Sequence, residues 1–391
     1  MTIDVSPVGR WEKSLEGYTT FLPAPLPRTL DIKPELVYLL DSASRAVSVL
    51  AGIGETLPNP YLLIRPFMRR EAVLSSRIEG TQASLSDLFI YEASERPQDP
   101  SGDAREVANY VVALEHGLER VTDLPLSVRL MNEMHALLLE GVRGEDKMPG
   151  DLRNRQVWIG EQGTSVEEAR FVPPPWRALP DLLSDFERFL NEESRMPPLI
   201  QAALMHYQFE AIHPYTDGNG RMGRLLIVLF LCTKGVLRTP LLYLSAYFER
   251  LRDDYYDQLL RVSKTGDWGP WLRFFLRGVE LQARDAAARS RRLRALEERY
   301  RSKLQGVRSG NTQRLLDEVL MRPFITAQHA ARMLDVTLPA ARKLLERFVS
   351  LGILTEDRSS RPRLYLAREL LREIERPLAE EPSEQLLLLD G

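Results

Sequence analysis

The sequence predicts a mainly α-helical protein that carries one β-hairpin and a small, separate C-terminal module of helices and short strands. Three observations support this. Apolar residues recur at helical spacing through most of residues 35–287. One pair of β-rich runs, 157–160 and 170–172, flanks a polar, glycine-containing stretch. A charged segment ending in GVRSG, residues 306–310, precedes a second helical pattern.

The chain has 391 residues, enough for a sizeable core and two or three domains. Hydrophobic residues at 44% and charged residues at 27% fit an ordinary globular composition. A net charge of −3 excludes strongly basic character overall but leaves local basic patches open. Cys232 is the single cysteine, so no intramolecular disulfide can form. It ends the apolar run Leu225–Cys232, which is too short to span a bilayer. The start, MTIDVSPVGRWEK, lacks the apolar core of a secretory signal. The expectation is a cytoplasmic protein without membrane association.

In chain order, seven prolines in the first sixty residues make FLPAPLPRTL read as an extended strap. Helices are expected over 35–49, 106–121, 127–139 and 176–190. Val157–Gly160 and Arg170–Val172 form the hairpin, stopped by Pro173-Pro174-Pro175. Residues 199–212 and 220–233 are apolar on most sides, so both should be central helices. Helical spacing continues over 255–262 and 268–287, then a charged stretch, 284–301, leads away from the body. In the C-terminal module, Leu315–Leu320 mark one helix and Thr326 caps a second. A third runs over 338–351 and stops at Gly352. Residues 353–355 and 363–366 flank the basic tip DRSSRP. This pattern looks like a winged helix with 338–351 as recognition helix. Arg342, Lys343, Arg347, Arg358 and Arg361 are then candidate DNA contacts, and a purely protein-binding role is the rival reading.

Between the two apolar helices lies HPYTDGNGRMGR, residues 213–224. Glycines let the backbone approach a ligand, and the helix start behind them offers unpaired N–H groups and partial positive charge. Arg221 and Arg224 share one face and could grip adjacent phosphates, while Asp217 is a hard oxygen ligand suited to Mg²⁺. His213 lies outside the helix, where an imidazole could take a proton from a hydroxyl. Separately, Ser75-Ser76-Arg77-Ile78-Glu79-Gly80 puts Ser75 and Glu79 on one helical face with Gly80 as a natural stop.

The twelve-residue stretch resembles the Fic family signature, H-P-F-x-[DE]-G-N-G-R-x-x-R, departing only in Tyr215 for phenylalanine. The resemblance spans roughly residues 10–285 and implies a Fic-type helical core with the hairpin as its flap. It also implies transfer of AMP from ATP to a serine, threonine or tyrosine hydroxyl of a target protein docked on 157–172. Carried over, His213 would be the general base and Asp217 the Mg²⁺ ligand. Gly218, Asn219, Gly220, Arg221, Met222, Gly223 and Arg224 would hold the ATP phosphates. Tyr255 and Tyr256 are candidates for the adenine pocket, Tyr256 being preferred. Ser75, Glu79 and Gly80 resemble the family's inhibitory motif, [ST]-x-x-x-E-[GN], whose glutamate would pair with Arg224 and displace the γ-phosphate. The same glutamate assists AMP removal in some members, so a reversing activity stays open.

The resulting division is an N-terminal strap and inhibitory helix (1–105), a catalytic domain (106–285), a connector (286–310), a winged helix (311–376) and a tail (377–391). A homodimer is expected. Two other readings compete: a nucleotide-sensing DNA-binding transcriptional regulator, and another phosphate transfer in the same fold. The intact His213 and Asp217 disfavour the first, and Gly218 together with Gly220 disfavours the second.

Overall fold

The computed structural model describes residues 2–14, 16–56, 59–94, 99, 101–160, 163–305, 310–358 and 363–378. The chain opens with an antiparallel sheet, β1 (Thr2–Ser6), β2 (Gly9–Lys13) and β3 (Thr19–Pro23), in that spatial order, with Trp11 opposite Phe21. The expected strap, residues 21–30, is strand only over Phe21–Pro23, and the rest of the sheet precedes it. Its only proline inside a strand is the last residue of β3, where the missing N–H breaks no central ladder. Trp11 and Phe21 meet at 5.0 Å between ring centroids, and both pack on Phe171 of the hairpin.

The helical body comprises α1 (Pro34–Glu55), α2 (Tyr61–Ile78), α3 (Leu85–Ala93), α4 (Asp103–Arg120), α5 (Val128–Leu138) and α6 (Leu179–Asn191). It continues through α7 (Pro198–Ile212), α8 (Asn219–Thr233), α9 (Ser245–Arg250), α10 (Arg252–Thr265) and the 36-residue α11 (Trp268–Lys303). Helices α7 and α8 are buried along nearly their whole length, as their apolar faces require. The local codes are ordinary: Ser84 and Asp87 form a reciprocal capping box on α3, and Ser127 caps α5. Helix α1 packs along α11 and is the one described helix long and apolar enough to cross a membrane.

The charged stretch 284–301 is continuous with the helix before it. Ala283, Ala287, Ser290, Leu293, Leu296 and Tyr300 keep a buried stripe running beneath the arginines. Beyond it come α12 (Gly310–Met321), β4 (Phe324–Thr326), α13 (Ala327–Leu334), α14 (Leu338–Ser350), β5 (Thr355–Asp357), β6 (Leu364–Leu366) and α15 (Arg368–Glu375). The second sheet runs β4-β6-β5, all antiparallel. This segment is docked on the body. Phe324 stacks on Phe89 of α3 at 5.9 Å, and buried Arg289 of α11 donates to the carbonyls of Ile374 and Arg376 at 2.9 and 2.8 Å.

Candidate active site

Helix α7 ends on His213, which has φ 51° and ψ 63°. The left-handed region is costly for a residue with a Cβ, so other contacts must hold it there. Arg153 does so. Its buried guanidinium donates to the carbonyls of His213 (2.8 Å), Ile212 (3.4 Å), Pro174 (2.6 Å) and Arg155 (3.2 Å). Arg153 forms no ion pair among the described residues, and burial pulls its pKa down to about 10. One side chain thus ties the hairpin base, at Pro174, to the histidine. His213 is itself held neutral, at about 4, first by burial and then by the Arg153 charge. Glu79 and the Glu210 backbone pull the other way.

The loop after His213 is closed by Asn219, whose Oδ1 accepts from Tyr215 N and whose Nδ2 donates to Tyr215 O, both at 2.9 Å. Both ends of that amide shape the loop itself. The Tyr215 ring stacks on His135 at 3.8 Å and its hydroxyl donates to Asn132. His135 accepts Gly150 N–H at Nδ1 and faces the Asp217 carbonyl through Nε2 at 3.0 Å. Burial lowers its pKa to about 4, so the ring is neutral and Nε2 is the donor. Sequence reasoning missed both Arg153 and His135, because each acts on backbone carbonyls far along the chain.

Gly218 caps α8 with φ 77°, a conformation that favours glycine, and its N–H reaches Asp217 Oδ1 at 2.6 Å. The next N–H groups, of Asn219, Gly220 and Arg221, have no intrahelical partner by helix geometry. Met222 N–H is already bonded to Gly218 O, and the Met222 side chain is fully buried in the core. Met222 is therefore removed from the contact set. Gly223 abuts Glu210 and His206: a Cβ there would lie 2.4 Å from Glu210 Oε1. Its glycine identity serves packing against α7.

Neither motif arginine is free. Arg224 is buried, and its Nε donates to Ser75 Oγ at 2.8 Å; Nη2 donates to Ser75 O at 2.9 Å and to Glu79 Oε1 at 2.7 Å. Burial opposes ionisation of Glu79, but the Arg224 guanidinium outweighs it and holds the carboxyl below its ordinary range. Arg221 is paired with buried Glu106 of α4 at 2.7 Å, which also accepts from Thr81 Oγ1 at 2.9 Å. It therefore fastens α8 to α4. Glu106 had no distinguishing sequence signal, being one acidic residue in an acidic first helical turn.

Helix α2 is a core element anchored by buried Glu71, which accepts from Ser245 Oγ and Tyr110 OH. It ends where expected: Gly80 has φ 96°, with its N–H on Arg77 O and that of Thr81 on Ser76 O. This delivers the Glu79 carboxylate onto the start of α8. A Cβ on Gly220 would stand 2.2 Å from Glu79 Oε1 and 3.0 Å from Arg224 Nη1. The carboxylate therefore rests directly against the glycine backbone of the anion cradle.

Among the described residues the hairpin shows one antiparallel bridge, Ile159 to Phe171; Glu161 and Gln162 lie outside them. Phe21 N–H extends the ladder to Val172 O at 2.9 Å, and Trp158 is exposed. Tyr256 stands half-buried between the guanidinium groups of Arg170 and Arg252, each 5.9 Å from its ring. Tyr255 does not join it: its ring is buried on Phe248 and its hydroxyl meets His206 Nε2 at 2.8 Å, so it is a core residue.

Fold and site together define a helical protein whose own N-terminal region lays the Glu79 carboxylate against the start of α8. The chain belongs to the Fic/DOC family: it matches the Fic/DOC family N-terminal model over residues 37–119 and the Fic/DOC family model over 125–231. It is 32% identical over 156 residues to a protein named "Protein adenylyltransferase Fic" from Drosophila ananassae, covering 39% of this chain and 28% of that one. It is 31% identical over 157 residues to adenylyltransferase fic-1 of Caenorhabditis briggsae, covering 40% and 27%. The match thus spans under a third of the length of these curated relatives. A crystal structure of a Fic family protein from Desulfovibrio desulfuricans shares the fold, with a TM-score of 0.56 at 21% identity, over 86% of this chain and 97% of that one.

Proposed function

We propose that the protein is a self-inhibited protein adenylyltransferase, moving AMP from ATP to a serine, threonine or tyrosine hydroxyl of a target protein. One observation carries the reading above all. Glu79 is bonded to Arg224 and lies against Gly220, where a phosphate would otherwise meet a guanidinium and free N–H groups.

In the released form, the Asn219, Gly220 and Arg221 N–H groups and Arg224 hold the phosphates, with Tyr256 beside the base. Neutral His213 accepts the target hydroxyl's proton as that oxygen bonds to the α-phosphorus. The α–β bridging bond breaks and pyrophosphate leaves in line. Arg221, held by Glu106, keeps the helix start fixed. Asp217, half-exposed, stands at this helix start beside Glu79. This suits Mg²⁺, which takes one carboxylate together with phosphate oxygens and water. Bound there by Asp217, the ion would neutralise phosphate charge. The target would lie along the 157–172 hairpin, beside exposed Trp158.

We read residues 311–376 as a winged helix and the whole protein as a homodimer. Arg342, Lys343 and Arg347 stand exposed on α14 and favour DNA as that module's partner. Arg358 already pairs with Glu356 at 2.9 Å, and Arg361 lies outside the described residues.

The test uses ATP labelled at the α- or the γ-phosphate, incubated with cell lysate and wild-type, Glu79→Gly or His213→Ala protein. Label from the α position only is expected, raised at least tenfold by Glu79→Gly and lost with His213→Ala. Label from the γ position only would make the protein a kinase, and equal labelling by wild type and Glu79→Gly would remove the brake.

A further inference from the structure

Behind the helix that presents Glu79 the fold leaves a cavity of about 450 Å³. That size lies within the range of small-molecule sites, about 300–1,000 Å³. Arg70, Val73, Leu74 and Arg77 of α2 line it at i, i+3, i+4 and i+7, so one stripe of that helix forms a wall. Ser75 and Glu79 face the other way, toward Arg224. Ala246, Glu249 and Arg250 of α9 form a second wall. Leu85 at the start of α3, Glu375 at the end of α15 and Leu378 just beyond add to the lining.

The charges of this lining do not cancel. Three arginines against two glutamates leave one positive charge. Arg77 stands 3.9 Å from Glu249, and Arg77 and Arg250 are both exposed, where water screens them. Arg70 differs. It is only partly exposed, and among the described residues its guanidinium has no hydrogen bond and no ion pair. The five buried arginines, Arg69, Arg153, Arg221, Arg224 and Arg289, all have acceptors. Burial and then the Arg289 charge pull the Arg70 pKa down to about 10, against the opposite pull of Asp285, Glu71 and Glu249. Partial burial of a cation without an acceptor is costly, and an anion in the cavity would offset that cost. The walls beside it are apolar: Val73, Leu74, Leu85, Ala246 and Leu378. A bare phosphate fits poorly, because it brings up to two negative charges to one positive and has no surface to bury on those walls.

We propose that this cavity binds a small monocarboxylate with an apolar body, its head on the Arg70 guanidinium and its body against α2, α3 and α9. The site is independent of the reaction at His213, because it lies on the opposite side of α2 from Arg224.

The test is calorimetric titration of the full chain with sodium octanoate, where saturable binding is expected together with a rise in thermal midpoint. Arg70→Gln should weaken binding at least tenfold, because it removes the charge that meets the head. Arg250→Gln, at an exposed position, should change it less than threefold. Leu74→Glu adds an acid at a partly exposed wall position and should also weaken binding at least tenfold. It keeps the proposal testable should Arg70→Gln fail to fold. Octylamine, the same body on a cationic head, should not bind. Acetate, the same head without the body, should bind at least tenfold more weakly. Absence of octanoate binding, binding indifferent to Arg70→Gln and Leu74→Glu, or equal binding of octylamine overturns the proposal. So does displacement of octanoate by ATP from Glu79→Gly protein, which would put the carboxylate in the phosphate cradle instead.

Discussion

At the residue scale the site is governed by where cations find their acceptors. Arg224 has a carboxylate, a hydroxyl and a carbonyl; Arg221 has Glu106; Arg153 has carbonyls alone. A buried guanidinium satisfied only by carbonyls keeps its field uncompensated, and that field falls on His213. Arg153 should therefore act as a positioning residue in two ways. It holds the base in its left-handed conformation, and it keeps the base unprotonated. In the Glu79→Gly background, Arg153→Met is expected to lower kcat by roughly ten- to a hundredfold, the scale of a misplaced catalytic group. It should also move the acid limb of the pH–rate profile upward from about pH 4 toward the ordinary histidine value, with KM for ATP nearly unchanged. The Glu79 charge, which pulls the histidine the other way, is already absent in that background. An unmoved acid limb would reduce Arg153 to a structural residue.

At the scale of elements, legibility in the sequence followed the range of the interactions. Helices α7 and α8 and the motif between them were readable because apolar periodicity, a glycine turn and a helix start are local codes. Glu79 was found for the same reason, through its spacing from Ser75 and Gly80. What was missed is set by distant partners. The N-terminal sheet was not anticipated because its stability comes from Trp11 and Phe21 meeting Phe171, some 150 residues away. Glu106 and Arg153 likewise take their roles from residues more than fifty positions off. Tyr255 and Met222 were misread in the other direction: helical spacing does not say which of two neighbouring side chains faces the core. The sheet has a consequence for function. Phe21 N–H continues the hairpin ladder, and Trp11 Nε1 donates to Ser263 O of α10 at 3.3 Å, so the sheet braces the flap from behind. Trp11→Ala should loosen the flap while leaving the phosphate site intact. The expected result is a several-fold rise in KM for a protein target, with ATP affinity unchanged and faster proteolysis within 157–172. Equal target kinetics would show that the flap stands without the sheet.

At the scale of the whole molecule, the buried histidines tie stability to pH. Three of the five histidines sit with depressed pKa values: His206 at about 3, by burial and then the Arg224 charge, and His135 and His213 at about 4, chiefly by burial. Near pH 5 the unfolded chain protonates all three and the folded protein none. Their contribution is complete above pH 6.5 and is lost as pH falls toward 4 and 3. Glu210 works with the opposite sign. Burial lifts its carboxyl to about 8 despite Arg224, so the folded state holds a proton that the unfolded chain has released. Its contribution is present below the ordinary glutamate value and is lost as pH rises through 8. Of these four groups, three protons against one give an uptake of about two on unfolding near pH 5, a contribution of about 3 kcal/mol of lost stability per pH unit on acidification. Urea unfolding at pH 5.0, 5.5 and 6.0 measures that slope directly. Glu210→Gln keeps the side chain's shape but removes the opposing proton, so it should steepen the slope to about 4 kcal/mol per unit. A flat profile across this window would mean that the three imidazoles bind protons inside the fold, and His213 could then not be the neutral base that the chemistry requires.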